Sequence, residues 1–370
     1  MLKDSMSKLV PEYISRLVPY SAGKPIEELA REKNLTRISK LASNENPLGP
    51  SPLAISNIEK GLKNLHRYPD MFSFELKNLL AKIYNLKTAN IVLGSGSEGI
   101  MASLAKAFLW PGEEILTCEN TFIGFYIIAK ATGAKLNLVP LKNYKFDVEN
   151  LAKNINEKTR IIYLANPNNP TGTFITKEEF DYLMKFVPEN VLVILDEAYF
   201  EFCKDKKEFP DSMNYRYDNV ITLRTFSKAY GLAGIRLGYG FAHESLISEI
   251  SKVKLPFEPS SLAQLAGLGA LMDTKHLNAT LSNNKLQYER TFPFLEKLGL
   301  SPIPSVTNFI TFQAEDPQKL FESLLDEGVI IRPLKSNGMP NHLRVSLGSP
   351  EEMDHFFTAM DKIKEKNGKF

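Results

Sequence analysis

The stretch that decides the fold is Thr225-Phe-Ser-Lys-Ala-Tyr-Gly-Leu-Ala-Gly-Ile-Arg236, which follows a predicted strand over Val220–Leu223. Lys228 stands among small and apolar residues, with hydroxyl side chains three and one positions before it. Partial burial and a nearby cation would lower the pKa of this lysine, which favours formation of a Schiff base. Thr225, Ser227 and Arg236 could hold a phosphate beside it. A lone lysine between a strand and a helix is more often a surface residue, so its interpretation depends on its surroundings.

Three earlier predicted strands also end in polar or glycine-rich sequence. They run into Gly94-Ser-Gly-Ser-Glu-Gly99, Ala165-Asn-Pro-Asn-Asn-Pro-Thr-Gly172 and Asp196. Ligands of open α/β sheets bind outside the carboxyl ends of the strands, so we expect the four strand ends to form one crevice. The glycine turn and the helix after it suit a phosphate. Asp196 follows a buried strand, and a carboxylate there needs a cation from a ligand or from a structural salt bridge.

These features together describe one cofactor. An activated lysine, a buried acid and a phosphate clamp are what pyridoxal 5′-phosphate requires, because they bind its aldehyde, keep its ring nitrogen protonated and anchor its phosphate. The turn Gly94–Gly99 also matches the GxGxxG fingerprint of nicotinamide-dependent dehydrogenases. That alternative leaves Lys228 and Asn166–Gly172 without a role.

Short apolar strands alternate with amphipathic helices through the middle of the chain. Near-continuous apolar runs such as Val191–Leu195 indicate a largely parallel sheet covered by helices on both faces, which is the α/β class. The pattern changes at Ser260–Met272, a predicted long helix that could link two domains, and an α+β unit follows. We predict an N-terminal segment over residues 1–40 that packs on the small domain, a large domain over 41–270 and a small domain over 271–370.

The order of these motifs resembles the aspartate-aminotransferase-like superfamily of pyridoxal-phosphate enzymes over essentially the whole chain. Within that superfamily, the residues are most similar to the histidinol-phosphate aminotransferases. The stretches that carry the likeness are Val18–Lys24, Lys40–Gly49, Arg67–Asp70, Asp196–Tyr199, Thr225–Arg236 and His342–Gly348. The resemblance implies fold type I, in which a large domain with a mainly parallel seven-stranded sheet flanked by helices carries a smaller α+β domain.

The resemblance also implies roles for individual residues. Lys228 would bind the cofactor covalently, and Asp196 would pair with its ring nitrogen. Asn169 and Tyr199 would hydrogen-bond its ring oxygen, and Phe122 would stack on the ring. The implied phosphate-binding residues are Ser97 and Glu98, through their backbone N–H groups, with Thr225, Ser227 and Arg236. The implied substrate-binding residues are Tyr20, Asn44, Arg332 and Arg344.

Partners and reaction follow from the same resemblance. Tyr68 matches a tyrosine that reaches the phosphate in the neighbouring subunit, which implies a homodimer with shared active sites. The implied reaction moves an amino group between L-histidinol phosphate and 2-oxoglutarate in histidine biosynthesis, with Lys228 moving the proton. An aromatic amino-acid aminotransferase or a phosphothreonine decarboxylase of the same branch is open as well, because Arg332 and Arg344 could bind a phosphate or a carboxylate.

The composition excludes several other classes. The 45 basic and 43 acidic residues leave a net charge of +2, which argues against nucleic-acid binding and against a polybasic membrane surface. The two cysteines and five histidines show no metal-ligand spacing, and no apolar run approaches the ~20 residues of a membrane-spanning helix. The N-terminus carries no apolar secretory segment. We therefore expect a soluble cytoplasmic enzyme that acts on small molecules without a metal.

Overall fold

The computed structural model describes residues 9–19, 25–33, 35–210 and 217–368. Its strands are β1 (Ser39–Lys40), β2 (Ile91–Ser95), β3 (Glu114–Cys118), β4 (Lys135–Val139), β5 (Thr159–Ala165), β6 (Leu192–Asp196), β7 (Val220–Thr225), β8 (Leu237–Phe241), β9 (Ser301–Pro302), β10 (Phe309–Gln313), β11 (Val329–Ile330), β12 (Arg332–Pro333) and β13 (His342–Ser346). Its α-helices are α1 (Glu12–Ser15), α2 (Ile26–Lys33), α3 (Pro52–Gly61), α4 (Phe74–Tyr84), α5 (Gly96–Phe108), α6 (Ile123–Lys130), α7 (Val148–Lys153), α8 (Lys177–Met184), α9 (Phe200–Cys203), α10 (Glu244–Val253), α11 (Ser261–Met272), α12 (Thr274–Lys297), α13 (Pro317–Asp326) and α14 (Pro350–Asn367).

Seven strands form the large sheet, in the order β2-β8-β7-β6-β5-β3-β4. Only β8 runs against its neighbours, because it pairs antiparallel with β2 and β7 while the other pairs are parallel. The predicted mainly parallel seven-stranded sheet is therefore confirmed. The strands β2, β5, β6 and β7 run in one direction, so their carboxyl ends lie at the same edge of the sheet.

Buried aliphatic side chains account for the central position of β5 and β6. Every residue of Leu192–Asp196 is buried, and so is nearly all of Thr159–Ala165. Such strands bury both faces, and separate hydrophobic clusters pack on the two sides of the sheet. The strand β8 was not predicted, because its sequence Leu-Gly-Tyr-Gly-Phe carries two glycines and no β-branched residue.

The C-terminal part of the chain forms a second, smaller unit. Its four strands pair antiparallel in the order β12-β13-β10-β9, and the helices α12, α13 and α14 pack against them around their own hydrophobic cluster. Ser349 and Glu352 form the capping box that starts α14. No helix in the described part of the chain is both long and apolar enough to cross a membrane.

The connection between the two units differs from the prediction. Ser261–Met272 packs on α3 beside the large sheet, and the 24-residue helix α12, which was not predicted, continues into the small unit. In the N-terminal segment, β1 pairs with β11 of the small unit, whereas Tyr13 contacts Gly133 of the large one. From the separate cores we propose that 41–270 and 271–370 are the two domains, with part of the N-terminal segment on each.

Candidate active site

One cavity lies at the edge of the large sheet where β2, β5, β6 and β7 end, beside the N-terminal end of α5. It collects residues from five separate stretches of the chain. Its lining consists of Ser97, Glu98, Phe122, Ala165, Pro167, Asn169, Asp196, Ala198, Tyr199, Thr225, Ser227, Lys228, Ala233 and Arg236. These include every residue predicted to bind the cofactor except Tyr68, so the strand ends do form one crevice.

Lys228 is half-buried in this cavity. Its Nζ donates a hydrogen bond to the carbonyl oxygen of Ser43 at 3.2 Å and lies 5.9 Å from the centre of the Tyr199 ring. Burial, and next the guanidinium of Arg344, lower the pKa of Lys228 to about 8, although nearby carboxylates oppose the shift. A sizeable fraction of the amine is therefore neutral near physiological pH, and the neutral amine is the form that acts as a nucleophile or a base.

Asp196 ends β6 and presents a buried carboxylate to the cavity. Its Oδ2 accepts a hydrogen bond from the Tyr163 hydroxyl at 2.7 Å, while Oδ1 is buried with no hydrogen-bond partner among the described residues. Burial raises the pKa of Asp196 to about 6, and the charges of Glu98 and Glu197 add to the shift. A buried acceptor without a donor is costly. The protonated ring nitrogen of pyridoxal phosphate is such a donor, so this carboxylate fits the predicted cofactor.

Tyr163 is a site residue that the sequence analysis missed. It is fully buried in β5, its ring stacks on Phe125 with 4.1 Å between centroids, and its hydroxyl holds the Asp196 carboxylate. Side chains two positions apart on a strand share a face. Tyr163 precedes Ala165, which lines the cavity, by two positions. That spacing was the signal available in the sequence.

A second part of the cavity suits an anion. Helix α5 begins at Gly96, inside the stretch Gly94–Gly99 that was predicted to be a turn, so Ser97 and Glu98 stand in its first turn. N–H groups of a first turn have no partner within the helix, and the side chain of the N-cap residue Ser95 makes no capping hydrogen bond. These N–H groups and the helix dipole favour a phosphate at this point.

Hydroxyl groups and a cation adjoin the same helix end. The Ser227 N–H donates to Thr225 Oγ1 at 3.1 Å, and Thr225 Oγ1 donates to Ser227 Oγ at 3.0 Å. Arg236 has a φ of +57°, a costly conformation for a non-glycine residue, and its Nη2 donates to Glu98 Oε2 at 2.9 Å. Gly96 has a φ of +71°, a conformation that favours glycine, and a Cβ there would lie 2.7 Å from Arg236 Nη2. The phosphate of the predicted cofactor fits this group of donors.

A hydrogen-bond network joins Tyr199 to the predicted substrate residues. The Tyr199 hydroxyl accepts from Asn44 Nδ2 at 2.9 Å and from Asn169 Nδ2 at 3.3 Å. Arg344 Nη1 donates to Asn169 Oδ1 at 2.6 Å, and its Nη2 donates to the carbonyl oxygen of Ala42 at 2.9 Å. A phenol that accepts two hydrogen bonds can still donate its proton to a third oxygen. The network therefore places Asn44 and Arg344 at the border of the cavity.

The loop over residues 166–172 holds the two units together at the cavity. Asn168 Oδ1 accepts a hydrogen bond from Thr121 Oγ1 at 2.7 Å, within the large unit. The carbonyl oxygen of Pro170 accepts one from Thr311 of the small unit. The seven turn-forming residues thus bind both sides of the crevice, beyond what a simple connection requires.

Two of the predicted site residues that the structure describes lie away from this cavity. Tyr68 is 81% exposed and stacks on Phe257 with 4.4 Å between ring centroids. Arg332 lines a second cavity, between α6, β4 and the turn before β13, although it stands opposite Arg344 in the pairing of β12 with β13. Tyr20 lies outside the described residues.

The raised pKa of Asp196 makes a prediction for the protein without cofactor. Its value of about 6 lies above the ordinary 3.8, so this group's contribution to stability is fully present below about pH 4 and is lost as the pH rises through about 6. The loss amounts to about 3 kcal/mol. Asp196→Asn has no carboxyl, so its stability relative to wild type, measured by chemical unfolding, should rise between pH 4 and pH 7. A difference independent of pH would contradict the raised pKa.

Comparisons with known proteins agree with this geometry. Residues 36–360 match the family model described as aminotransferase class I and II. Histidinol-phosphate aminotransferase 2 of Haemophilus influenzae is 42% identical over 95% of this chain and 96% of its own length. The crystal structure of histidinol-phosphate aminotransferase from Sinorhizobium meliloti in complex with pyridoxal-5′-phosphate superimposes with a TM-score of 0.87 at 27% identity, covering 96% of this chain and 98% of that one.

A more distant structure shows the same fold. Aspartate aminotransferase from Thermus thermophilus with maleate gives a TM-score of 0.83 at 19% identity over 96% of this chain and 99% of that one. The predicted fold type I and the resemblance to histidinol-phosphate aminotransferases are confirmed, and the dehydrogenase alternative, based on Gly94–Gly99 alone, is not supported. With its lysine, buried acid and anion-binding helix end in one cavity, the chain belongs to the class I and II aminotransferases.

Proposed function

We propose that this chain transfers an amino group between L-histidinol phosphate and 2-oxoglutarate, giving imidazole acetol phosphate and L-glutamate, with pyridoxal 5′-phosphate as cofactor. The observation that carries the reaction class is the meeting of Lys228, Asp196 and an anion-binding helix end in one cavity. The substrate is inferred from the relatives that carry this activity in their names. The step belongs to histidine biosynthesis.

The cavity would hold the cofactor at three points. Lys228 Nζ would bind the aldehyde, and Asp196 Oδ1 would accept a hydrogen bond from the ring nitrogen. The first turn of α5 and Arg236 would hold the phosphate, which would compete with Glu98 for the guanidinium. When bound, pyridoxal phosphate supplies an aldehyde that captures amino groups and a cationic ring that withdraws electrons from the substrate carbon.

Lys228 Nζ would move the proton. Its pKa of about 8 lets the amine accept a proton and return it near physiological pH, which is the condition for general acid–base catalysis. Burial and Arg344 maintain this pKa. Tyr199, held by Asn44 and Asn169, would donate to an oxygen of the bound cofactor and so limit the rotation of its ring.

Arg344 would recognise the remote anion of both substrates. One substrate ends in a phosphate and the other in a carboxylate, and an arginine fork pairs with either. Arg344 is 8% exposed, and its guanidinium is bound to Asn169 and lies 5.1 Å from the centre of the Phe309 ring, so its orientation is set before substrate arrives. Arg332, which stands opposite Arg344 in the pairing of β12 with β13, lines the second cavity, so the proposed recognition of this anion rests on Arg344.

The test of this function compares kcat/KM for histidinol phosphate with kcat/KM for histidinol. We expect the wild type to prefer the phosphorylated substrate by at least about 100-fold. In Arg344→Lys this preference should fall by at least about tenfold, since lysine is only a point charge. Arg290→Lys is the matched control, because Arg290 also lies over a phenylalanine ring of the small unit, 5.2 Å from the centre of Phe357.

The outcome also separates the alternatives. A preference near one, or faster turnover of phenylalanine, would identify an aromatic amino-acid aminotransferase. Release of carbon dioxide from phosphothreonine would identify a decarboxylase of the same branch. Either result would contradict the proposed substrate without affecting the cofactor assignment.

We also propose that the chain forms a homodimer. Large exposed apolar side chains concentrate in two segments that contact each other through the stack of Tyr68 on Phe257. These side chains, here named the apolar patch, are Leu48, Leu53, Ile55, Leu62, Leu65, Met71, Phe72, Phe74, Leu255, Phe257 and Met272. A patch of this kind on a water-soluble chain is typical of a protein interface. Asn46, which precedes Leu48 of the patch by two residues, donates from its Nδ2 to the carbonyl oxygen of Ala229. This end of the patch therefore lies close to the loop that carries Lys228.

Tyr68 should act across this interface. If its hydroxyl reaches the cofactor phosphate of the partner, Tyr68→Phe should weaken cofactor binding by about 1–2 kcal/mol, the size of one hydrogen bond to a charged group. The dissociation constant is measured by titrating the cofactor-free protein. Tyr182→Phe, an exposed tyrosine on α8, should leave it unchanged. A fully active monomer in analytical ultracentrifugation would refute the shared site.

We infer a cytoplasmic location from the thiols. Cys118 and Cys203 are both buried and neither takes part in a disulfide. Burial raises the pKa of both groups, so they are unreactive thiols of a kind common in reducing compartments. Cell fractionation with the activity as marker tests this location.

A further inference from the structure

A cluster of buried charges lies behind the cavity, on the other face of the large sheet. Arg224 of β7 is completely buried, and its Nη2 and Nε donate to Glu197 Oε2 at 2.8 Å and 2.9 Å. Glu201, also buried, lies near enough for the charge of Arg224 to oppose the rise of its pKa, which burial brings to about 7. We name Glu197, Glu201 and Arg224 the charge cluster. None of the three lines the cavity.

The ion pair joins the ends of two strands that carry site residues. Side chains alternate along a strand, so Arg224 faces away from the cavity while the next residue, Thr225, faces it. Glu197 has the same relation to Asp196, which lines the cavity. The Glu197 N–H donates to the carbonyl oxygen of Leu223 at 2.8 Å, which continues the pairing of β6 with β7. The pair thus ties the two strand ends one residue away from each site residue.

Arg224 also reaches the third strand-end segment. Its guanidinium carbon lies 3.2 Å from the centre of the Phe200 ring, within the range of a cation–π contact. Phe200 directly follows Tyr199, whose hydroxyl takes part in the cavity network. The Arg224 guanidinium therefore contacts Glu197, which follows Asp196, and Phe200, which follows Tyr199. Arg224 itself directly precedes Thr225, the third predicted cofactor residue.

The energetic cost of burying the Arg224–Glu197 ion pair indicates that the pair fixes the geometry of the site rather than stabilises the fold. Removing an arginine and a glutamate from water costs several kcal/mol for each ion, and well-packed apolar residues often stabilise a protein equally well or better. A planar fork with fixed directions instead fixes the distance and the angle between the groups that it joins. We propose that Arg224 and Glu197 are positioning residues that hold the neighbouring cofactor-binding side chains in the arrangement that pyridoxal phosphate needs. The inference rests on the proposed cofactor.

The experiment replaces both partners of the ion pair at once, because removing one would leave the other buried without its counterion. Glu201 then loses the opposing charge of Arg224, and burial, which raises its pKa, favours its neutral form. The double variant Glu197→Gln/Arg224→Gln is compared with Glu113→Gln/Arg160→Gln. The control pair has the same 2.8 Å separation but joins residues at the other end of β3 and β5. Three quantities are measured: the melting temperature of the cofactor-free protein, the dissociation constant for pyridoxal phosphate, and the circular dichroism induced in the bound cofactor. The last reports how the ring sits in the protein and needs no turnover.

We expect the double variant of the charge cluster to fold, to bind pyridoxal phosphate at least tenfold more weakly and to change the induced dichroism, while the control matches wild type. Wild-type affinity and dichroism in the folded double variant would overturn the proposal. If that variant does not fold, Arg224→Lys is tested in its place, since lysine keeps the charge and loses the planar fork. Weaker binding of pyridoxal phosphate by Arg224→Lys supports the proposal, and unchanged binding overturns it. Wild-type protein that fails to bind pyridoxal phosphate would instead contradict the proposed function.

Discussion

Lys228→Ala is expected to reduce kcat by at least about 10³-fold, which is within the range for loss of a general base. Among the described side chains that line the cavity, Lys228 alone carries an amine, and the methyl group that replaces it cannot move a proton. Binding of the cofactor should persist, because the first turn of α5, Thr225 and Ser227 still present their donors. The reaction is followed under saturating substrate, and cofactor binding is followed separately by its absorbance.

The site of covalent attachment provides an independent measurement. Reduction of the loaded wild type with borohydride, followed by peptide mass spectrometry, should place the cofactor on Lys228, and Lys228→Ala should carry none. Lys145→Ala is the control, since Lys145 is a partly buried lysine paired with Glu179 at 3.4 Å outside the cavity. Attachment to any other lysine would show that the assignment of Lys228 is wrong.

Asp196→Asn is expected to lower kcat by about 10²–10³-fold or more, since a fixed charge opposite a developing charge contributes on this scale. Asparagine keeps the shape of the side chain, and its oxygen can still accept from Tyr163. It cannot balance a proton on the ring nitrogen of the cofactor, so the ring would lose its cationic character. The same change should stabilise the cofactor-free protein at neutral pH, because it removes a buried charge.

The opposed effects on activity and stability distinguish a functional carboxylate from a structural one. Asp147→Asn is the control, because Asp147 caps α7 through a bond from the Asn150 N–H, and asparagine caps a helix equally well. It should leave both quantities unchanged. Near-normal turnover in Asp196→Asn would show that Asp196 serves only the structure.

The chemistry of the site could be predicted from the sequence because each of its main groups lies in a short pattern of neighbouring residues. One pattern is Lys228 with hydroxyl side chains before it and glycines after it. The other is Asp196 directly after five aliphatic residues. Their meeting was also predictable, because strands that run in one direction bring their carboxyl ends to one edge. The structure places both in one cavity, 32 positions apart in the chain.

Contacts between distant segments were not predictable in this way. Tyr163 binds Asp196, and Asn44 binds Tyr199 across 155 positions. The spacing of Tyr163 and Ala165 indicates only that they share a face of β5, and no short pattern indicates that Asn44 reaches Tyr199. The start of α5 at Gly96 was missed because glycines disfavour a helix locally, whereas the φ of +71° at this helix start favours glycine.

The sequence by itself therefore predicted the fold class, the cofactor and the strand-end residues Lys228 and Asp196, because alternation of strands and helices and the residue types at strand ends are local properties. The roles of the other predicted site residues came from the resemblance to a family. The tertiary structure alone decided which acceptors have no donor among the described residues, as at Asp196 Oδ1, and which charges are buried together, as in Arg224 and Glu197. It also separated Arg332 from the cavity that Arg344 adjoins. Burial and electrostatic coupling depend on every neighbour in space, and those neighbours come from segments far apart in the chain.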